Sequence, residues 1–443
     1  MFGNADKVSI RPVLGRFVAE GTKEKLARAV SNIAQAPIIS IPAFGLINYF
    51  SLDFYGFVFM TSLCILFAGV LPVLVVMLWS RNKKSESDLP QKEDRIAPLV
   101  IVITIYLAGT AALYAAGAPL LSTALMFCYF SNTLIVFFIN IFWKISIHSM
   151  GVMGPTVALI FAFGAPGAFL GLVLPVVMWS RIYLKKHTIS QVIMGALLGF
   201  VLTAAQIYLV YAQSGIRPDI TLILWLVYAF IGPSIVLGAA GIMNGMGVLD
   251  GYTRKFFHFI GFVSIAAFLR YAPAEAAMIF IALGIVYVGI ACFSGNGFPW
   301  FDGIRRKADS PNETIYVIMP MVSTVLGLAV CWALFGHPAV EVGMLCVAVG
   351  DAMAEPMGVL FGRHKYKVFS LMGSPSERSV EGSLVVLLSC SAIIFLFTGS
   401  PIFSLALGAI LSLVEAVSPR GTDNFTVFLV SAVGIAIRSM IAM

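Results

Sequence analysis

Charge is what this sequence has least of. Asp, Glu, Lys and Arg together make up 11% of its 443 residues, where a soluble globular chain carries about 25%. That deficit excludes a water-soluble globular protein. Cysteine is sparse too: Cys64, Cys128, Cys292, Cys331, Cys346 and Cys390 all lie in apolar runs, without paired or metal-like spacing. A disulfide framework and a thiolate metal site are therefore not expected, and packing is. Also absent are a Walker phosphate loop, a soluble-kinase signature, a short-period repeat and a signal peptide's apolar core and cleavage site.

What remains is hydrophobic. Apolar residues make up 60% of the chain, and mean hydropathy is +0.96. The apolar runs are continuous and do not alternate, so the expected fold is all-α, a polytopic transmembrane helical bundle rather than a barrel. Judged against the roughly 20 residues that cross a bilayer, about 13–15 spans are expected. The net charge of +7 sits in short loops such as "SRNKK", "RIYLKKH" and "IRRKAD". Retention of basic loops on the cytosolic side accounts for it, so membrane lipids are expected as partners and nucleic acid is not.

Three regions are read from the pattern. Residues 1–36 form an amphipathic segment on the membrane surface: Leu26, Val30 and Ile33 share a face, with Lys23, Lys25 and Arg28 elsewhere. Residues 37–213 and 214–443 are two membrane domains, divided at "AQSGIRPD" (212–219), where Gly, Pro and charge follow a long apolar run. The longest polar stretch after the N-terminus is "NKKSESDLPQKEDR" (82–95).

The first domain carries "FWKISIHSMG", with Lys144, Ser146 and His148, and "WSRIYLKKHTISQVIMGALLG", with Ser180, Arg181, His187 and Gln191. Arg holds phosphate oxygens through a planar fork, and paired imidazoles can attack phosphorus and protonate a leaving oxygen. The spacing resembles the type 2 phosphatidic acid phosphatase family over about residues 90–205. Ser146-Ile147-His148 stands for that family's Ser-Gly-His, and Ser180-Arg181, five residues, His187 stands for its second motif. The resemblance implies His187 as nucleophile, His148 as general acid, and Arg181 and Ser146 as phosphate holders. Where the family has an Asp after His187, this chain has Gln191, which can orient the imidazole but not stabilise its cation. The family's third motif has only Lys92, Arg95 and Pro98 to offer.

The second domain carries four polar clusters and a fifth near the end. "DGYTRKFFHFIG" has Asp250, Arg254, Lys255 and His258; "FDGIRRKADSPNETIY" has Arg305, Arg306, Lys307, Asp309 and Glu313. "AVGDAMAEPMGVLFGRHKYKVF" sets Asp351 and Glu355 four residues apart inside an apolar segment, followed by Arg363 and Lys365. "GSPSERSVEGS" has Arg378, Ser379 and Glu381, and "VEAVSPRGTDNFTV" has Glu415, Arg420, Asp423 and Asn424. A carboxylate inside a span costs roughly 2.5–3.5 kcal/mol on insertion scales, and is functional by default. The inventory offers carboxylates for a divalent cation, bases for phosphates and Gly/Ser loops for an oxyanion. It suits phosphoryl or nucleotidyl transfer at a membrane face.

In order, "RKFFHFIG", "GDAMAEPMGVLFGRHKY", "ERSVEGS" and "VEAVSPRGTDNFTV" resemble the polyprenol kinase family of dolichol, phytol and farnesol kinases, over about 250–440. The resemblance implies transfer of the terminal phosphate of CTP to an isoprenoid alcohol, with Mg2+. It implies Asp351 and Asp423 as catalytic and metal-holding acids. Arg254, Lys255, Arg363, Lys365, Arg378, Ser379, Glu381 and Arg420 are implied for the nucleotide and its phosphates, with Glu415 and Asn424 supporting Asp423. A lysine is usual where Arg378 stands. A CDP-lipid-forming cytidylyltransferase and a lipid (di)phosphate phosphatase or binding protein remain alternatives. The kinase site is expected to face the cytoplasm.

Overall fold

The computed structural model describes residues 20–83, 93–216, 219–368, 376–419 and 421–442. Nearly all of them are helical. The first ten helices are α1 (Glu20–Ile33), α2 (Ala36–Ser51), α3 (Phe54–Cys64), α4 (Leu71–Lys83), α5 (Glu93–Ala115), α6 (Leu120–Phe142), α7 (Ile147–Phe163), α8 (Leu174–Tyr183), α9 (Ile189–Gln213) and α10 (Ile220–Gly245). Nine follow: α11 (Asp250–Tyr271), α12 (Ala274–Ser294), α13 (Pro299–Ile304), α14 (Glu313–Phe335), α15 (His337–Cys346), α16 (Ala352–Phe361), α17 (Val380–Thr398), α18 (Pro401–Val417) and α19 (Asp423–Ala442). A short antiparallel pair, β1 (Lys365–Val368) and β2 (Ser376–Ser379), sets Tyr366 opposite Arg378.

Among the described residues eleven helices are long and apolar enough to cross a membrane, or up to twelve if the bent pair α1–α2 counts as one span. Two further apolar helices, α7 and α18, are shorter. The chain is a multi-pass membrane protein. Its outer surface agrees: Leu396 is 81% exposed and Ile402 83%, which suits hydrocarbon as solvent. The expected span over 256–271 is the charged helix α11, which is not among the eleven.

Two compact units form, one of residues 20–234 with 278–283, the other of 235–277 with 284–443. The division falls within α10. In the 20–234 unit a core around Phe44, Leu113, Met126 and Tyr129 joins α2, α5 and α6. Polar side chains bind the helices where apolar area gives no net drive: Asn132 Nδ2 donates to Thr203 Oγ1 at 2.9 Å, and Gln206 Nε2 donates to Asn132 Oδ1 at 2.9 Å. Such bonds contribute about 0.6 kcal/mol each, up to about 1.7. In the 235–443 unit small residues let helices approach. Phe428 of α19 is fully buried against Gly327 of α14 and Gly343 of α15. A Cβ on Gly327 would fall 2.7 Å from the Phe428 ring. This seam fixes α19, and with it Asp423.

The helix α1 departs from a simple surface helix. Its small face, Ala27, Ser31 and nearby Ala34, is buried, and α1 packs on α8. Leu26 and Ile33 stay 46% and 64% exposed, an apolar edge free to meet lipid. Residues 1–19 of the expected amphipathic segment lie outside the described residues.

Candidate active site

The 235–443 unit brings its polar clusters together at helix ends. α15 and α16 read as one span, His337–Phe361, and at their junction Val347–Asp351 form a π-turn. Extra residues in such a turn leave carbonyls out of the regular ladder and are frequent at functional sites. Asp351 ends this turn, and Glu355 follows one helical turn later.

Both acids are met by α11. Lys255 Nζ donates to Asp351 Oδ1 at 2.6 Å and lies 3.6 Å from Glu355 Oε2. Arg254 donates to Glu355 Oε2 at 2.8 Å, and His258 Nδ1 lies 3.9 Å from Asp351 Oδ2. Arg306 reaches Glu355 Oε1 at 3.4 Å. Asp250 holds the adjoining loop, accepting from Asn244 Nδ2 at 3.1 Å and from the Lys307 backbone N–H at 2.9 Å. Arg305 is engaged by Asp302 at 2.7 Å and faces Glu313 at 3.9 Å.

A second group is centred on Arg378 of β2. One guanidinium nitrogen donates to Asp423 Oδ2 at 3.0 Å, and the other lies 3.1 Å from Glu415 Oε1. Gly421, at φ +88°, turns the chain between α18 and α19. That left-handed conformation favours glycine, and it points Asp423 inward. Asp423 Oδ1 accepts from the Asn424 N–H at 3.1 Å, while Asn424 Nδ2 donates to Pro320 O and Thr324 Oγ1. Asn424 thus anchors α19 to α14 and does not touch the second acid with its side chain. α19 also packs against the π-turn, and the charges of Asp351 and Lys255 act on both Glu415 and Asp423. The two groups form one electrostatic field.

The base of the hairpin sits on backbone. Ser379 caps α17, accepting from the Gly382 N–H at 3.1 Å. A Cβ on Gly358 would fall 2.8 Å from Ser379 Oγ, and one on Gly382 would fall 2.9 Å from the Ala354 carbonyl. Glu381 binds His364 Nδ1 at 2.8 Å. The Tyr366 hydroxyl meets Ser383 Oγ at 2.7 Å, and burial lifts its phenol above the usual range, so it stays neutral.

The expected site residues therefore divide. Asp351, Asp423, Arg254, Lys255 and Arg378 converge, but their bases are already engaged by carboxylates. Ser379 and Glu381 are structural partners of the hairpin. Arg363 and Lys365, with Lys367, are exposed and form no ion pair among the described residues. Arg420 lies outside those residues. His364, Tyr366 and Ser383 had no role in the sequence reading; an i, i+17 pairing across a hairpin carries no periodic signal. Among the described residues no group of three or more His, Cys, Asp or Glu side chains makes a ready metal cage. Asp351 and Asp423 fit the other pattern, in which one or two carboxylates and substrate phosphates share a hydrated Mg2+.

In the 20–234 unit His148, Arg181 and His187 line one cavity. Arg181 is buried and donates to Ser31 Oγ at 2.6 Å, and Ser180 Oγ donates to the Ala27 carbonyl at 2.7 Å. His187 Nδ1 meets Gln191 Oε1 at 3.1 Å, and the same oxygen accepts the Thr188 N–H at 3.1 Å in a capping box. Ser146 caps α7, accepting from the Ser149 N–H. It does not line the cavity with the other three. The proposed third motif falls at Lys92, outside the described residues. Gly195 of α9 lies against the Ser146 carbonyl, with no room for a methyl group. Gly195→Ala is expected to cost about 1–3 kcal/mol by overpacking, read as a lower melting temperature of the purified protein. An unchanged melting temperature would refute this close approach.

Compared with protein-family models, curated proteins and solved structures, the chain matches none, and its chemistry is read from its own geometry.

Proposed function

We propose that the 235–443 unit is a membrane-embedded kinase that moves the terminal phosphate of a nucleoside triphosphate, CTP in the first instance, to an isoprenoid alcohol. The observation that carries this reading is the convergence of Asp351, Glu355 and Asp423 with Arg254, Lys255, Arg306 and Arg378 at the ends of apolar helices. An alcohol delivered from lipid meets a nucleotide delivered from water only at such a boundary. Phosphoryl transfer asks mainly for positioning and charge neutralisation, which these groups supply.

Asp351 accepts the hydroxyl proton as the alcohol oxygen bonds to the γ-phosphorus. The bond from that phosphorus to its bridging oxygen breaks, and CDP leaves with the electron pair. Arg363, Lys365 and Lys367 on the hairpin provide the first contacts to the phosphates. Lys255 and Arg378 exchange a carboxylate for phosphate oxygens. Asp351 and Asp423 would hold a divalent cation, which when bound supplies charge neutralisation on the β- and γ-phosphate oxygens. The basic residues gathered at this site favour a cytoplasmic face.

The experiment uses the purified protein, farnesol and CTP labelled at the α- or the γ-phosphorus. Label from γ alone is expected in the lipid, with CDP released. Label from α in the lipid, with pyrophosphate released, would replace the kinase reading by a cytidylyltransferase. No transfer from CTP, UTP or ATP to any prenol would reject both.

A further inference from the structure

The strand pair β1–β2 joins two apolar spans, one ending at Phe361 and the next beginning at Val380. The Val380 N–H donates to the His364 carbonyl at 2.9 Å, so the base of the hairpin closes directly on both helix ends. Val359, Leu360 and Phe361 are each at least 60% exposed. Consecutive helix positions lie about 100° apart, so these three side chains point outward around most of the last turn of α16. Val380 opens α17 with 56% exposure. Apolar groups bared around a helix end are stable in hydrocarbon and not in water. This collar therefore marks the hydrocarbon boundary.

Immediately beyond the collar come three exposed bases, Arg363, Lys365 and Lys367. Strand residues rise about 3.3 Å each, so Lys367 stands no more than about 7 Å beyond Lys365. The headgroup layer is about 5–8 Å thick on each face of a bilayer. Upright or lying flat, the hairpin keeps its bases at the depth of lipid phosphates. The acids of this segment do not cancel them. Glu381 is held by His364 Nδ1 at 2.8 Å, and Glu377 faces Lys367 across the strand pair. Three bases against Glu377 leave the hairpin cationic.

We propose that the basic face of this hairpin docks into a layer of anionic phospholipid headgroups, with the apolar collar seated in the hydrocarbon beneath it. Each base near an anionic membrane surface strengthens attachment roughly fivefold, so a net excess of two amounts to about 25-fold. This docking does not rest on the kinase reading. Its test contains no nucleotide, so failure of either reading is visible without the other.

The purified full chain in neutral detergent is titrated with phosphatidylglycerol, phosphatidylcholine or inorganic phosphate, and retained lipid is followed by native mass spectrometry. Phosphatidylglycerol is expected to bind about 25-fold more tightly than phosphatidylcholine, with inorganic phosphate unable to displace it at equal concentration. The triple variant Arg363→Gln, Lys365→Gln, Lys367→Gln is expected to lose that preference. Glu377→Gln removes the acid facing Lys367 and is expected to tighten phosphatidylglycerol roughly fivefold, a gain that misfolding cannot produce. An unchanged preference in the triple variant, or weaker binding in Glu377→Gln, would overturn the proposal. So would displacement of the lipid by inorganic phosphate, since the bases would then serve free anions and not a headgroup layer.

Discussion

In Asp351→Asn, transfer of γ-label from CTP to farnesol is expected to fall by about 10²–10⁴-fold, the usual contribution of a positioned proton acceptor. The substitution keeps the shape of the side chain and its place at the end of the π-turn. It removes the charge that faces Lys255 at 2.6 Å and the basicity proposed to take the hydroxyl proton. The loss should appear in kcat, because the proposed first contacts of the nucleotide lie on the hairpin. Transfer within threefold of the unsubstituted protein would remove Asp351 from the chemistry and, with it, the kinase assignment. Glu355→Gln gives the comparison: it shares the cluster but is held by Arg254 and Arg306, so its effect should be smaller and felt in stability as well.

Arg378→Ala is expected to have the largest effect on stability. Among the described residues Arg378 joins Glu415 to Asp423, at 3.1 and 3.0 Å, with side chains 14%, 7% and 16% exposed. Removing the base leaves two carboxylates facing each other in a poorly solvated place. Breaking a buried ion pair costs about 3–5 kcal/mol. Thermal unfolding in detergent should show a fall in melting temperature, and transfer activity should be lost with it. Arg378→Lys separates the two effects. It returns charge but not the fork that spans two acids, so most of the stability should return and only part of the activity. Wild-type stability in Arg378→Ala would mean that the three groups are not coupled.

The fold class was readable from continuous apolar runs, because only helices or barrels satisfy the backbone in lipid and these runs do not alternate. Span boundaries were less readable. α11 holds Asp250, Arg254, Lys255, His258 and Arg270, whose partners lie on α15, the π-turn, α16 and Lys307, so it carries too much charge to count among the eleven. The acids Asp351 and Asp423 stood out because charge in an apolar segment is rare. Their partners did not: Lys255 meets Asp351 across 96 positions, and no local period reports such pairing. Of the bases expected on phosphate, Arg254, Lys255 and Arg378 prove to be engaged by carboxylates, which the sequence could not show because it counts charges without pairing them. Ser31, on the wall of the cavity in the 20–234 unit, was invisible for a similar reason. A cavity is a property of helices that fail to touch, and hydropathy records only what each helix carries.

The glycines beneath the hairpin have a mechanical consequence. Gly358 of α16 lies against the Ser379 hydroxyl at the end of β2, and Gly382 of α17 lies against the Ala354 carbonyl, so neither contact has room for a further side chain. The strand pair is thus seated on α16, the helix that follows Asp351, and carries its exposed bases from there. Removing the charge of Lys365 or Lys367 should therefore loosen the grip on the nucleotide, read as a higher KM for CTP, while leaving the stroke of the reaction, kcat, in place. Under the kinase proposal, a seat of this kind would let a few exposed charges act as a ruler for the length of a triphosphate.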